Sequence, residues 1–378
     1  MNAESPARSA RAHLPGRIEA LDGLRAVSIL IVLFGHGAHT IGSPRWLQPM
    51  TNMGIVGVDL FFVISGFIIT LLLIRERRSA PVSLRNFWLR RALRILPPFA
   101  AASAGLALAA SLGLTKWSWP SFFGALTFTK DTTLFPGDWF FGHTWSLSVE
   151  EQFYILWPLI FILAAPVTAT APLLPAVLIA SPVLAWICTR HWQAVQNLLP
   201  FIPYLAAGCL LALRRWRGSE AGARRLRATR LALITPCALG FAYLNGEHIK
   251  SDLSMPLASV LLPLWGYLLV DECIRSDGVL RGLLKVRALR WLGMISYSVY
   301  LWQQLFLGPP DAYIASWFWN RWPQNIVAGV ACGGLAYLLV ERPGARLKRF
   351  LLRSGQHRLR VSDRQPPPSG NVSGTISG

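Results

Sequence analysis

The chain contains 378 residues, of which 53% are apolar and only 15% are charged, and its mean hydropathy is +0.41. Soluble domains carry about 25% charged residues, so this composition argues strongly against a soluble enzyme. The net charge of +19 does not indicate a nucleic-acid-binding protein, because the basic residues lie in short clusters between long apolar runs. We therefore predict an all-α protein that crosses a lipid bilayer many times.

Apolar windows long enough to cross a hydrocarbon layer of about 30 Å recur along the chain. Ten such windows are found, at residues 21–41, 54–74, 93–113, 144–165, 172–189, 198–213, 231–247, 256–272, 291–308 and 324–341. The fifth to eighth windows are short or interrupted by proline. The sequence thus predicts a polytopic bundle of about ten transmembrane helices.

The distribution of Lys and Arg predicts the orientation of this bundle, because cytoplasmic loops collect basic residues. With ten helices and a cytoplasmic N-terminus, 31 of the 37 basic residues fall on the cytoplasmic side and six on the other. We therefore expect both termini in the cytoplasm and the protein in the bacterial inner membrane. The first window is not expected to be a cleaved signal peptide, since no A-x-A-like site follows it.

The two ends of the chain differ in composition from the apolar part. Residues 1–17 are polar, and residues 351–378 are rich in Ser, Gly and Pro. Such segments cannot bury a core, so both are predicted to be disordered cytoplasmic tails around a transmembrane domain at 18–350. The five cysteines have no Cys-x-x-Cys spacing, and the sequence predicts neither a disulfide framework nor a metal site.

Ionisable residues at membrane depth mark candidate functional positions, because inserting each one costs about 2.5–3.5 kcal/mol. In the first window, Arg25 and His36 are eleven residues apart. This spacing places both side chains on one helix face, about 16 Å apart along the axis. His36 is therefore a candidate general base near the membrane midplane. The alternative is a buried histidine that hydrogen-bonds a neighbouring carbonyl group.

Two carboxylates are further candidates. Asp59, in the second window, can orient or charge-balance His36, although a position in the outer headgroup zone explains it equally well. Glu150, in the fourth window, lies on the same helical stripe as His143. The competing interpretation of Glu150 is an ion pair with an arginine of residues 75–94.

Arginines cluster where the third window begins. Arg90 and Arg94 are one helical turn apart and Arg91 lies beside them, so a helix here presents paired guanidinium groups suited to phosphates. Anchoring of a cytoplasmic loop by positive charge is the alternative explanation.

Six ordered motifs resemble the bacterial acyltransferase 3 family of integral membrane O-acyltransferases. They span about residues 18–350 and read LDGLRAVSILIVLFGH, GVDLFFVISGF, RRALRILPP, HTWSLSVEEQFYILWP, WLGMISYSVYLWQQ and ERPGARL. The resemblance implies an enzyme that takes an acyl group, acetyl by default, from cytoplasmic acyl-coenzyme A. The implied acceptor is a hydroxyl of a carbohydrate-containing molecule: lipopolysaccharide, another surface polysaccharide, a glycolipid or a macrolide-type metabolite.

The resemblance also implies roles for individual residues. His36 corresponds to the catalytic histidine and Glu150 to the motif glutamate of the fourth segment. The implied donor-binding arginines are Arg25, Arg91 and Arg94.

Two departures from the family pattern affect these expectations. Many relatives have a histidine where this chain has Gln303, so no acid–base role is assigned there. Some relatives also carry a C-terminal hydrolase-like domain, whereas only a short tail follows here. We therefore expect all the chemistry to occur within the helix bundle.

The residues and the resemblance lead to one mechanistic hypothesis. The phosphates of acyl-coenzyme A bind the cytoplasmic arginines, and the uncharged pantetheine arm extends about 16 Å into the bundle, toward His36. His36 deprotonates the acceptor hydroxyl while Asp59 or Glu150 stabilises the imidazolium. A covalent acyl-enzyme on Ser65 is less favoured, because the sequence places no serine beside a histidine.

A transporter is the main alternative from another functional class. A carrier built from two repeats predicts matched polar interruptions in both halves. Here the polar residues concentrate in the first four windows, which favours the enzyme. A catalytically inactive scaffold is a third interpretation. Such a scaffold would not need Arg25 and His36 on one helix face, so their shared face argues against it.

Overall fold

The structure is a computed structural model that describes most of the apolar part of the chain. The described residues are 18–132, 134, 135, 137–163, 176, 180, 199–216, 224–246, 254–275 and 279–346. The predicted tails at 1–17 and 351–378 lie outside these residues, as does all of the window 172–189 except positions 176 and 180. Within the described ranges the architecture is all-α, with two isolated backbone bridges between outer loops and no strand.

The helices follow the apolar windows closely. They are α1 (Glu19–Gly37), α2 (Gly54–Ser79), α3 (Leu84–Ser111), α4 (Trp119–Leu126), α5 (Trp139–Gly142), α6 (Thr144–Leu163), α7 (Ile202–Trp216), α8 (Arg224–Gly246), α9 (Ser254–Ile274), α10 (Val279–Leu284), α11 (Arg287–Trp302) and α12 (Gln324–Ala336). A π-helical turn, Tyr337–Glu341, continues α12. Each predicted window except 172–189 overlaps one of these helices.

Polar side chains determine where several helices begin. Ser83 accepts a hydrogen bond of 3.3 Å from the backbone N–H of Asn86 and so caps α3. Asp138 accepts one of 3.0 Å from the N–H of Phe141 and caps α5. Such caps satisfy backbone donors that a helix leaves free in its first turn. The Ser83 cap starts α3 about two turns before Arg91, well ahead of the apolar window at 93–113.

Glycines allow four helices to touch backbone to backbone. A Cβ added to Gly293 of α11 would lie 1.7 Å from the carbonyl oxygen of Asp22 in α1. A Cβ on Gly57 of α2 would lie 2.4 Å from a carbonyl oxygen of α1, and one on Gly66 would lie 2.1 Å from a carbonyl oxygen of α7. Small residues at such crossings permit the close packing typical of membrane helices. Helices α1, α2, α7 and α11 therefore form a tightly packed inner group.

Replacing Gly293 by alanine is expected to destabilise the protein by about 1–3 kcal/mol, because the added methyl group collides with the α1 backbone. The matched control is Gly240→Ala in α8, where an added Cβ meets nothing within 4 Å. Alanine is there the better helix former, so stability should stay level or rise. Thermal unfolding of both variants in detergent is the measurement. Equal stability of the two variants would contradict the packing described here.

Among the residues that the structure describes, five helical segments have the length and hydropathy needed to cross a membrane. They are Glu19–Gly37, Gly54–Ser79, Leu84–Ser111, Trp139–Leu163 and Gln324–Arg346. The prediction of an all-α membrane protein is thereby supported. The total of about ten spans and the cytoplasmic position of both termini stay predictions.

Reporter fusions test that topology directly. The segregation of basic residues predicts opposite signals from two sets of positions. Cytoplasmic signals are expected after Arg78, Arg217 and Gly282, and external signals near Thr132, Lys250 and Asp311. An external signal at Arg217 would contradict the ten-helix arrangement.

Candidate active site

An interior cavity with a free volume of about 80 Å³ lies between α1, α2, α3, α6 and α11. Its polar lining comes from all five helices. The polar residues that line it are Arg25, Ser65, Arg91, Arg94, Ser146, Glu150, Tyr154, Ser296, Tyr297 and Tyr300. Four residues predicted from the sequence, namely the three arginines and Glu150, therefore meet in one place.

The three arginines lie at the end of the cavity nearer the predicted cytoplasmic side. Arg25 donates from its Nε to the Oγ of Ser296 at 3.3 Å and lies 5.8 Å from the ring centroid of Phe61. The guanidinium carbon of Arg91 lies 5.0 Å from the ring centroid of Tyr154. These contacts place the guanidinium groups of Arg25 and Arg91 against aromatic rings, the positions in which cation–π attraction stabilises them.

A carboxylate and two hydroxyl groups form a hydrogen-bonded chain deeper in the cavity. The Oγ of Ser65 donates to the Oε1 of Glu150. The hydroxyl of Tyr154 donates in turn to the Oγ of Ser65 at 3.3 Å. Arg25 and Arg91 both lie within electrostatic range of Glu150. Glu150 thus lies in the same cavity as the arginines and contacts Ser65, and its role in the reaction stays a prediction.

A second cleft, with a free volume of about 410 Å³, lies on the side of the arginines away from Ser65. It is lined by Leu72, Arg75, Glu76, Ser79, Phe87, Arg90, Arg91 and Arg94. Arg90 pairs with Glu76 at 2.5 Å. Arg91 and Arg94 line both this cleft and the interior cavity. The two spaces therefore share a wall made of two guanidinium groups one helical turn apart.

His36 lies in the last turn of α1, about 16 Å along the helix from Arg25. Its Nδ1 is 3.1 Å from the Oε1 of Gln303, and its ring centroid is 5.3 Å from that of Trp139. A carbonyl oxygen can only accept a hydrogen bond, so with the Gln303 amide in this orientation a neutral His36 carries its proton on Nδ1. The Nε2 lone pair is then available to accept a proton. His36 itself is not part of the cavity wall that contains the arginines.

Asp59 occupies a different part of the bundle. Its side chain is buried in α2 and accepts a hydrogen bond from the hydroxyl of Tyr204 in α7. The structure therefore places Asp59 against α7, whereas Glu150 contacts Ser65 in the cavity that the arginines also line. The side-chain hydrogen bond of the His36 ring goes to Gln303, so a carboxylate partner for His36 stays a prediction.

Sequence reasoning missed the contribution of α11 to the cavity. Ser296 and Tyr300 are four residues apart, so they lie on one helix face, and both line the cavity. This spacing of polar residues within an apolar helix is a signal that could have identified them.

Glu341, in the π-helical turn, is a second residue near the arginines that was not predicted from the sequence. It accepts a hydrogen bond of 2.9 Å from Ser298 and lies within electrostatic range of Arg94 and Arg25. A π turn inserts one extra residue into a helix and is often found at functional sites. Glu341 thus extends the charged group around the arginines.

No cluster of three or more His, Cys, Asp or Glu side chains suited to a metal ion occurs among the described residues.

Comparison with known proteins places these features in a family. A family model for the acyltransferase domain Acyl_transf_3 matches residues 18–341. No solved structure shows a significant match to the chain.

Several characterised or named proteins are similar to the chain. YrhL of Bacillus subtilis (strain 168), provisionally named as a peptidoglycan O-acetyltransferase, is 27% identical over 365 residues, covering 86% of this chain and 54% of YrhL. The peptidoglycan O-acetyltransferase OatA of Listeria monocytogenes is 25% identical over 319 residues, covering 75% of this chain and 48% of OatA. The chain thus spans about half the length of these relatives. Because the family model covers most of its residues, the protein belongs to the acyltransferase 3 family.

Proposed function

We propose that this protein is a membrane-embedded O-acetyltransferase that transfers an acetyl group from acetyl-coenzyme A to a hydroxyl of a cell-wall glycan. The observation that carries the proposal is the wall shared by the two cavities. Arg91 and Arg94 connect a wide basic cleft with a narrow interior cavity that ends among hydroxyl groups. The names of the relatives support a peptidoglycan-type acceptor.

The chemistry of coenzyme A suits this pair of cavities. Its phosphate groups are anionic, and arginine binds phosphate through paired N–H donors. The basic cleft contains four arginines and one glutamate, so its net charge favours such a ligand. The pantetheine arm is uncharged and slender, which suits the narrower interior cavity. In this arrangement the phosphates stay at the cytoplasmic end and the thioester points toward the outer half of the bundle.

His36 is the proposed general base. Its Nε2 removes the proton from the acceptor hydroxyl while the oxygen attacks the thioester carbonyl. The tetrahedral intermediate then collapses, the C–S bond breaks, and the imidazolium returns the proton to the departing thiolate. Gln303 assists by fixing the Nδ1–H tautomer through its carbonyl oxygen. The products are an O-acetylated glycan and free coenzyme A.

Glu150 has a supporting role in this proposal. Its carboxylate neutralises part of the charge of Arg25 and Arg91 and holds Ser65 by a hydrogen bond. Three guanidinium groups in a low-dielectric site repel one another unless an anion lies among them. Glu150 therefore keeps the arginines in place when the donor is absent.

Reconstituted vesicles provide the test. Acetyl-coenzyme A labelled in the acetyl group is supplied on one side, and soluble peptidoglycan glycan strands are supplied on the other. The expected result is label on the glycan, with one coenzyme A released for each acetyl group transferred. Accumulation of unmodified solute without release of coenzyme A would instead support the transporter alternative. Release of coenzyme A without labelled glycan would show that the acceptor is of another class.

A further inference from the structure

A third cavity lies in the outer half of the bundle, between α3, the junction of α5 and α6, and the end of α11. It has a free volume of about 20 Å³. Its lining residues include Ser103, Phe140, His143, Trp302 and Gln304. It shares none of its lining with the cavity that contains the arginines.

Four polar atoms around this cavity are buried without a hydrogen-bond partner. They are the Oγ of Ser103, the Nε1 of Trp302, the Oε1 of Gln304 and the ring nitrogen of His143 that does not contact the backbone oxygen of Phe140. The residues His143, Ser103 and Gln304 are each less than 10% exposed. Leaving one such atom unpaired costs about 1–3 kcal/mol. Unpaired atoms on four residues around one space therefore indicate that a polar group, a water molecule or a hydroxyl of a ligand, pairs with them there.

The arrangement of donors and acceptors suits a hydroxyl group. The Trp302 Nε1–H can only donate and the Gln304 Oε1 can only accept, whereas Ser103 and a neutral His143 can do both. A hydroxyl group donates one hydrogen bond and accepts others, so it can satisfy this mixed set. A free volume of about 20 Å³ accommodates one group the size of a hydroxyl or a water molecule.

The cavity adjoins His36 through Trp139. The Nε2 of Gln304 donates to the backbone oxygen of Trp139 at 2.8 Å, and the Nε1 of Trp139 donates to the backbone oxygen of Gln304 at 3.1 Å. The Trp139 ring in turn contacts the His36 ring, with centroids 5.3 Å apart. The residue before Gln304 is Gln303, which contacts the His36 Nδ1. Gln304, one of the residues with an unpaired polar atom, is therefore connected to the proposed general base His36 through Trp139 and Gln303.

We infer that this outer cavity is the acceptor subsite, in which His143, Ser103, Trp302 and Gln304 bind a hydroxyl group of the carbohydrate next to the one that is acetylated. The inference rests on the proposed function and adds the location of the acceptor. His143 acts here by binding and orienting the acceptor, while His36 moves the proton.

Kinetic analysis is the first test, with soluble peptidoglycan glycan strands as the acceptor probe. Ser103→Ala and His143→Leu should each raise the KM for the glycan about tenfold or more, because each removes a hydrogen bond to the acceptor. The KM for acetyl-coenzyme A should change less than twofold. Ser111→Ala, at the exposed end of the same helix, is the matched control. An unchanged glycan KM in Ser103→Ala, which is the milder variant, would overturn the inference.

Cysteine labelling is the second test and does not depend on catalysis. Ser103→Cys is made in a chain whose five native cysteines are replaced by alanine, and it is treated with a small methanethiosulfonate reagent from the outer side. The inference predicts labelling that the glycan strands block and coenzyme A does not. Ser111→Cys should be labelled with or without glycan. Absence of labelling at Ser103→Cys, or labelling that glycan does not reduce, would show that the outer side and the glycan do not reach this cavity and would overturn the assignment.

These two tests separate the inference from the proposed function. If the wild-type protein transfers no acetyl group, the proposed function fails, whereas protection of Ser103→Cys by glycan still supports the subsite. If transfer occurs but neither kinetics nor protection responds to the Ser103 variants, the function stands and the subsite is wrong.

Discussion

Replacement of His36 by glutamine is expected to lower acetyl transfer by roughly 10²–10⁴-fold, the usual contribution of a positioned acid–base group. Glutamine can replace a hydrogen bond to Gln303 but cannot carry a proton near neutral pH. A histidine that only packs should therefore tolerate the change. Binding of acetyl-coenzyme A should persist in this variant and in His36→Ala, because the proposed phosphate contacts lie about 16 Å away along α1.

The matched control for this experiment is His39→Gln, which alters an exposed histidine just beyond the same helix. It should leave transfer unchanged. The measurement is acetylated glycan formed per unit of correctly inserted protein, with donor binding determined on the same preparation. Near-normal transfer by His36→Gln would remove His36 from the chemistry and leave Glu150 or His143 as the next candidates.

Simultaneous replacement of Arg91 and Arg94 by alanine should raise the KM for acetyl-coenzyme A by roughly 10²–10⁴-fold. Each charge-assisted hydrogen bond contributes about 1.5–3 kcal/mol, and both guanidinium groups line the path from cleft to cavity. Because they are proposed to hold phosphates remote from the reacting carbon, kcat at saturating donor should fall much less. Lysine at both positions should restore binding only in part, since the bidentate geometry is lost.

Arg85→Ala is the control that removes one positive charge from the same helix without removing a residue that lines either cavity. Arg85 is exposed on the first turn of the same helix and lines neither cavity. Its removal should leave the donor KM within twofold of the wild-type value. If the double variant at Arg91 and Arg94 also keeps the wild-type KM while folding normally, these arginines are topology anchors and the proposed donor path is incorrect.

The helices were predictable from sequence because apolar runs of membrane-spanning length leave little alternative to a helix. Their ends were less predictable. The window at 93–113 begins nine residues after the helix does, since α3 continues into a polar, arginine-rich turn that the Ser83 cap starts. Prolines made the boundaries of two windows uncertain, and Pro236 and Pro263 lie within continuous helices in the structure. In a membrane bundle, neighbouring helices can stabilise the backbone around such prolines.

The candidate site was predicted in part. The spacing of Arg91 and Arg94 and the position of Glu150 each placed a side chain on a definite helix face, and those faces meet in the structure. The partner of Asp59 was not predictable in the same way. Periodicity within one helix does not specify which neighbouring helix a side chain faces, and Asp59 faces Tyr204 of α7. The contact between His36 and Gln303 joins residues 267 positions apart, so no local pattern could reveal it.

The glycine contacts make some helices of the bundle harder to displace than others. Helices α1, α2, α7 and α11 touch through their backbones, so sliding one past another would drive carbonyl groups into Cα atoms. Helix α3 contains Pro97 and Pro98, whose missing N–H groups weaken its hydrogen-bond ladder just after Arg94. The two prolines therefore make α3 easier to bend beside Arg91 and Arg94, whereas His36 lies on a helix of the closely packed group. We expect that flexing of α3 moves the two arginines without displacing the histidine.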